Sequence, residues 1–282
     1  MWLSRYFVIF VLYSILGWIY ESTFCTIKAG EWRNRGFLYG PVVPIYGVGA
    51  AGISMVYDAL QAYAQVTLTW WQVFLIGYLG SIVLEFGTSW VLEKLFHAVW
   101  WDYSEMPFNI QGRVCLPCSL AFGGAGLLVI YGLYPVMNRV VTPDISIWKE
   151  LVSLLLMAMI AADTALTVSA LTGLAKSVIA AEESLNRQMD VFVSSVKEKG
   201  AELEEAVSAS RDKLMNQHVE TAVRQMGGLQ KSALRRVKGF KPPVGRSDRQ
   251  KEYLQKVMGS IRALRDKTKR SKVYRYKKKR PR

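Results

Sequence analysis

The sequence predicts an all-α, polytopic membrane protein. It should have about five transmembrane helices, arranged as two parallel helix–loop–helix repeats plus a fifth helix, and then a helical, basic cytoplasmic tail. Three observations carry that expectation. Five apolar runs occur early in the chain, each close to the roughly 20 residues a helix needs to cross a bilayer. A polar and aromatic pattern occurs twice, each time at the end of an apolar run. The net +14 of the 282 residues divides into +19 over residues 221–282 and −5 over the remainder, so the basic character belongs to a tail.

The first run, 3–20, leads straight into Glu21 without the small-residue cleavage site of a signal peptide. Its Trp and Tyr content suits the membrane interface. Trp18, Glu21 and Phe24 are three residues apart and so share one helix face. A polar loop over 28–35 ends in Asn34-Arg35-Gly36. Between Gly36 and Gly47 lie Gly40, Pro41 and Pro44, which a regular helix accommodates only by losing backbone bonds. Two readings are open for this segment. It starts a helix with Pro in the first turn and small residues for close packing, or it is a broken segment lining a cavity.

The second run spans 39–60 and the third 70–91. The third carries Glu85, an ionisable group that should face the bundle interior, be paired, or be protonated. The pattern then returns as Trp90, Glu93, Phe96, Asn109, Gly112, Pro117, Phe122 and Gly123. Gly36, Pro41, Tyr46 and Gly47 register without a gap on Gly112, Pro117, Phe122 and Gly123. Only the Glu-to-Gly interval differs, 15 residues in the first copy and 19 in the second. The aromatic stretch 96–104, with Asp102 and Tyr103, suits the interface. The fourth run covers 116–137. The fifth, 148–175, carries Asp163 near its middle, either as a helix-docking carboxyl capped by hydroxyls or a loop arginine, or as part of a site or ion path.

Lys28, Arg33 and Arg35 in loop 1–2 and Lys94 and Arg113 in loop 3–4 place both pattern loops in the cytoplasm. With five spans the N-terminus is then outside and the tail inside, with Arg5 as an outlying positive charge. Repeats whose loops face the same side are parallel, unlike the inverted repeats of many transporters. Residues 1–181 form the transmembrane domain (repeat one 3–60, repeat two 70–137, fifth helix 148–181). Residues 182–238 are an amphipathic or coiled-coil helix carrying Leu185, Met189, Phe192, Val196, Leu203, Val207 and Leu214. Residues 239–282 are a basic, partly disordered tail, with a linker at 239–245 and a short helix at 248–267. The tail's partners are expected to be anionic lipid headgroups first, and less readily nucleic acid, through Tyr274 and Tyr276 among basic residues, or a protein partner. Cys25, Cys115 and Cys118 fall on the reducing side, where Cys115-x-x-Cys118 is read as packing rather than as a redox or metal pair.

The cytoplasmic layer collects Glu21, Glu93 and Asp102 with Arg35, Arg113, Asn34 and Asn109, and Tyr46 and Tyr103 lie in the same stretches. A twofold relation between the repeats would make Glu21 face Glu93. Two readings stay open: a site for a polar headgroup, phosphate or metabolite held by Arg, or a polar staple in which each acid neutralises a loop arginine. No phosphate-binding Gly-x-x-x-x-Gly-Lys-Ser/Thr loop occurs. Direct use of ATP would therefore need a separate ATPase subunit, and ion coupling would fall to Glu85 or Asp163. No catalytic motif, metal-ligand set or cofactor site is recognised, and His97 and His218 are read as interfacial and surface residues.

The string Asn34-Arg35-Gly36-Phe37-Leu38-Tyr39-Gly40-Pro41-x-x-Pro44-Ile45-Tyr46-Gly47 resembles the signature of the ABC-transporter type IV (CmpB-like) integral membrane family. So do Gly17-Trp18-x-x-Glu21, Glu93-Lys94-x-Phe96, Trp101-Asp102-Tyr103-Ser104, Pro107-Phe108-Asn109 and Gly112-Arg113-x-Cys115-Leu116. The resemblance covers roughly residues 1–170 and excludes the chain from Glu182 onward. It implies a permease-like membrane transport protein. The alternatives from other classes are an embedded enzyme acting on a lipid or polyprenyl headgroup, and an anchor presenting a basic tail.

Overall fold

A computed structural model describes residues 2–30, 32, 34–141, 147–197, 217, 221 and 224–240. They are mostly helical. The order is α1 (Trp2–Ala29), α2 (Pro44–Ala64), α3 (Trp70–Phe96), β1 (Ala98–Val99), β2 (Asn109–Ile110), β3 (Val114–Cys115) and α4 (Leu116–Leu127). A π-helical stretch (Leu128–Leu133) then leads into α5 (Tyr134–Val140), followed by α6 (Ile147–Lys197), α7 (Gly228–Arg236) and β4 (Gly239–Phe240). Among the described residues, four helical stretches are long and apolar enough to cross a membrane: Leu3–Ala29, Trp70–Phe96, Leu116–Val140 and Ile147–Gly173. Large apolar side chains on them stay uncovered, among them Leu79, Val83, Leu154, Leu155 and Met159. That is the surface a lipid-facing bundle needs, since helices satisfy their own backbone and expose apolar side chains to hydrocarbon. The chain is a multi-pass membrane protein.

The spans begin close to where their apolar runs begin, but the first and third continue past their runs through the Trp-x-x-Glu-x-x-Phe pattern, to Ala29 and Phe96. Their 28 and 27 residues correspond to about 40 Å, longer than the ~30 Å hydrocarbon core. α2 is a helix of 21 residues and is not among the four, because Asp58 and Gln61 interrupt its apolarity. Of the two readings for 36–47, features of each occur. α2 begins at Pro44, with no backbone N–H to lose there, while 37–43 stay outside any helix.

The chain divides into two compact units, residues 1–95 with 100–169, and residues 96–99 with 170–282. In the first unit, Ile9 and Tyr13 of α1, Ala51 of α2, and Met137 and Val141 form one buried cluster, and Ile53, Val73 and Ile130 form another. α1 and α2 touch through Gly47, where a Cβ would stand 2.6 Å from the Phe10 carbonyl oxygen. α3 and α4 also meet over small residues, though less tightly, since a Cβ on Gly77 would lie 3.4 Å from the Cα atoms of Gly123 and Gly126. Helices in lipid gain little from burying apolar surface, so close van der Waals approach over small residues supplies the attraction.

Asp58 in α2 accepts from the hydroxyls of Tyr6 and Tyr134, with Arg5 at 3.8 Å. Arg5 also donates to Asn138 at 2.6 Å and to the Val141 carbonyl at 3.3 Å. The charge that stood as an outlier to the orientation is therefore partnered, and it ties α1 to α2 and α5.

In the second unit β1 pairs antiparallel with β4, and the Lys238 N–H reaches the Val99 carbonyl at 2.7 Å. Phe96, Ala98, Ala170, Leu171, Met226, Ala233 and Val237 are its buried apolar residues. Gly239 and Phe240, expected to open a linker, thus form a strand. The rest of that linker, the expected helix at 248–267 and the basic end lie outside the described residues. So do Arg33, Leu203, Val207, Leu214, His218, Tyr274 and Tyr276, and the side chains of Leu185, Met189, Phe192 and Val196.

Candidate functional site

Each pattern loop is fastened by an acid on its preceding helix and an arginine at its own end. Arg35 lies 3.8 Å from Glu21, and Arg113 lies 2.9 Å from Glu93. The asparagines act alike as well. The Asn34 side-chain oxygen accepts the Gly36 N–H at 3.2 Å, and that of Asn109 accepts the Gly112 N–H at 3.1 Å. Trp18 adds a 2.8 Å donation to Asn34. Glu21 and Glu93 are therefore each satisfied within their own repeat.

The second loop folds tightly. Asp102 accepts from the Ser104 N–H at 3.0 Å and from its hydroxyl, Asn109 donates to the Met106 carbonyl at 2.9 Å, and the Tyr103 N–H donates to the Gly112 carbonyl at 2.8 Å. Gly112 has φ +68°, and a Cβ there would lie 2.5 Å from the Ser104 hydroxyl and 2.7 Å from Asp102. Only glycine meets both constraints without strain. Asp102, Asn109 and Gly112 thus build the turn that presents Tyr103.

Tyr103 reaches back to α3, where its hydroxyl donates to Glu85 Oε1 at 3.1 Å. Burial first, and the neighbouring Glu85 carboxyl next, push the Tyr103 phenol well above its ordinary pKa, so it stays a donor. Glu85 is 4% exposed, and its Oε2 is buried with no hydrogen-bond partner among the described residues. In the first repeat Tyr46 donates to Glu21 Oε2 at 2.6 Å. The aligned residue of the second repeat, Phe122, has no hydroxyl and packs its ring 5.9 Å from that of Tyr46.

These groups share a cavity of about 950 Å³ within the first unit. Glu21, Arg35, Tyr46, Glu85 and Tyr103 line it, with aromatic wall from Phe37, Trp100 and Phe122 and aliphatic wall from α2 and α3. Val56 and Val83, both lining it, are also exposed on the bundle surface. Asp163 acts behind one wall. It accepts from the backbone N–H groups of Tyr39 and Gly40, each at 2.8 Å, and from the Thr167 hydroxyl at 3.2 Å. The carboxyl therefore pins the non-helical segment that carries Phe37, Leu38 and Val43 into the cavity.

Of the residues singled out from sequence, Glu21, Arg35, Tyr46, Glu85 and Tyr103 converge on the cavity. Asn34, Asp102, Asn109 and Asp163 hold the segments that form it. Glu93 and Arg113 pair away from it, with the guanidinium 5.5 Å over the Phe86 ring. Cys25 sits 3.7 Å from Glu21, and Cys115 and Cys118 are free thiols. Asp58 was not singled out, although the rule that flagged Asp163 applies equally to an acid inside the second run. The aromatic wall was missed for a different reason: aromatics at span ends look the same whether they face lipid or a cavity.

Residues 8–168 match the family model described as "Putative ABC-transporter type IV". No curated protein and no solved structure shows significant similarity to the chain.

Proposed function

The chain belongs to the putative ABC-transporter type IV family, and from that premise we propose that it is a permease-like subunit whose substrate site is the cavity closed by the two pattern loops. In this reading α2 is a fifth span, with Asp58 masked by Tyr6, Tyr134 and Arg5. The two helix–loop–helix repeats are parallel, and the aligned Tyr46 and Phe122 meet where a twofold axis would run. The loops face the cytoplasm, with the N-terminus outside and the tail inside. An impermeant maleimide should then label Trp32→Cys, in a chain whose native cysteines are replaced, only after the membrane is opened; labelling of intact cells would reverse the orientation. Energy would come from a separate ATPase subunit, and the basic tail would hold anionic lipid headgroups.

The observation that carries the proposal is the unpartnered Glu85 oxygen in a roomy, largely apolar cavity. Burying a carboxylate oxygen without a donor is costly, and Tyr103 satisfies only Oε1, whereas the staple at Glu93 supplies a whole guanidinium. Intramembrane acids retained at such a cost are functional by default. The test is accumulation of a panel of fluorescent organic ions in cells expressing wild type or Glu85→Gln at equal levels of folded protein. The expected result is a difference for at least one ion. Identical accumulation across the panel, with no ATPase co-purifying in mild detergent, would refute the permease reading.

A further inference from the structure

We propose that the cavity takes an organic cation with an apolar body, its charge seated against Glu85 and its body against the aromatic wall. The inference rests on reading the cavity as the substrate site and adds the class of substrate. Among the described lining residues only Glu21, Arg35 and Glu85 carry formal charge. Arg35 and Glu21 face each other at 3.8 Å, which leaves Glu85 without a countercharge. Tyr103 occupies Oε1. Oε2 is buried and open to a partner, and the partner a desolvated carboxylate oxygen lacks is a donor or a positive charge.

The walls point the same way. Phe37 and Trp100 pack at 5.5 Å, and Trp101, Tyr46 and Phe122 complete an aromatic lining whose ring faces attract a cation. An anionic headgroup or phosphate would meet Glu85 and find Arg35 already engaged. The volume of about 950 Å³ is at the upper end of the roughly 300–1,000 Å³ range of sites for drug-sized molecules. The exposed Val56 and Val83 on α2 and α3 form an apolar rim, so the ligand enters from the hydrocarbon with its body leading and its charge reaching Glu85 last. An amphiphilic cation suits that path. A strongly hydrated small cation does not.

The experiment uses the full-length protein in nanodiscs and radiolabelled tetraphenylphosphonium, with empty nanodiscs subtracted and tetraphenylborate as the same shape with opposite charge. Saturable tetraphenylphosphonium binding is expected, weakened roughly thirtyfold or more by Glu85→Gln and largely kept by Glu85→Asp. Gly80→Trp fills the cavity from a lining position where a Cβ meets nothing within 4 Å, and it should abolish binding. Tetraphenylborate binding as tightly as the cation, or a change under threefold in a Glu85→Gln protein of unaltered thermal stability, would overturn the cation assignment and leave the cavity reading standing. Binding of either ion undiminished in Gly80→Trp, or of neither ion in wild type, would overturn both.

Discussion

Replacing Asp163 by Ala tests whether one carboxyl in α6 shapes the cavity wall. The change removes the acceptor of the Tyr39 and Gly40 N–H groups, each bonded at 2.8 Å, and of the Thr167 hydroxyl. Leaving a buried donor unsatisfied costs about 1–3 kcal/mol. Tyr39 and Gly40 are only half-buried, so water relieves part of the loss. The expected destabilisation is about 2–4 kcal/mol. Thr167→Val, which removes one neutral bond, should cost about 1 kcal/mol. The assay is SDS-titrated unfolding of purified protein followed by tryptophan fluorescence, with hydrogen exchange at Tyr39 and Gly40 as the local readout. Exchange should accelerate at those two amides and stay unchanged in α3. A loss below about 0.5 kcal/mol, or unaltered exchange at both amides, would refute the assignment of Asp163 as the pin of this segment.

Glu93→Ala strands Arg113, which is 9% exposed and whose Nε and Nη1 already lack hydrogen-bond partners among the described residues, and should cost about 3–5 kcal/mol. Adding Arg113→Met should recover most of that in the same unfolding assay, and no recovery would argue against a pairwise staple. Gly112→Ala introduces a Cβ at φ +68° against Ser104 and Asp102 and should destabilise by about 1–3 kcal/mol. A neutral result there would mean that the turn tolerates another conformation. The Tyr103 phenol, held protonated by burial and Glu85, should contribute nothing to the phenolate transition near pH 10. Its protonated hydroxyl favours the folded state below pH ~10, and that contribution declines as pH rises further. The absorbance difference between wild type and Tyr103→Phe should stay flat through pH 10 at a denaturant-free optimum, and a phenolate signal there would contradict the burial of the ring.

Much of the site was legible because its elements are local. Arg35 lies 14 residues after Glu21, and Arg113 lies 20 after Glu93. An acid in the last third of a helix and an arginine at the end of the short loop that follows have few other partners within reach. Glu85 was flagged by its cost in an apolar run, and the structure finds it buried. The same rule applies to Asp58 in α2, but its partners Tyr6 and Tyr134 lie 52 and 76 positions away, beyond what a local pattern shows. The expected opposition of Glu21 and Glu93 came from symmetry alone. In the structure Tyr46 holds Glu21 while the aligned Phe122 holds nothing, and that single hydroxyl makes the two acids unequal.

The sequence by itself determined where apolar helices run, where the two loops interrupt them and which side chains in those loops carry charge. These follow from transfer free energy and backbone chemistry, which act over a turn or two of chain. Only the tertiary structure decided which distant partner satisfies each polar group: Asp163 with Gly40, 123 positions away, Arg5 with Asn138, 133 away, and Glu85 Oε2 with none among the described residues. A carboxyl will accept from any donor brought within about 3 Å, so its chemistry does not name its partner. Helix packing selects that partner, through contacts that no short stretch of sequence contains.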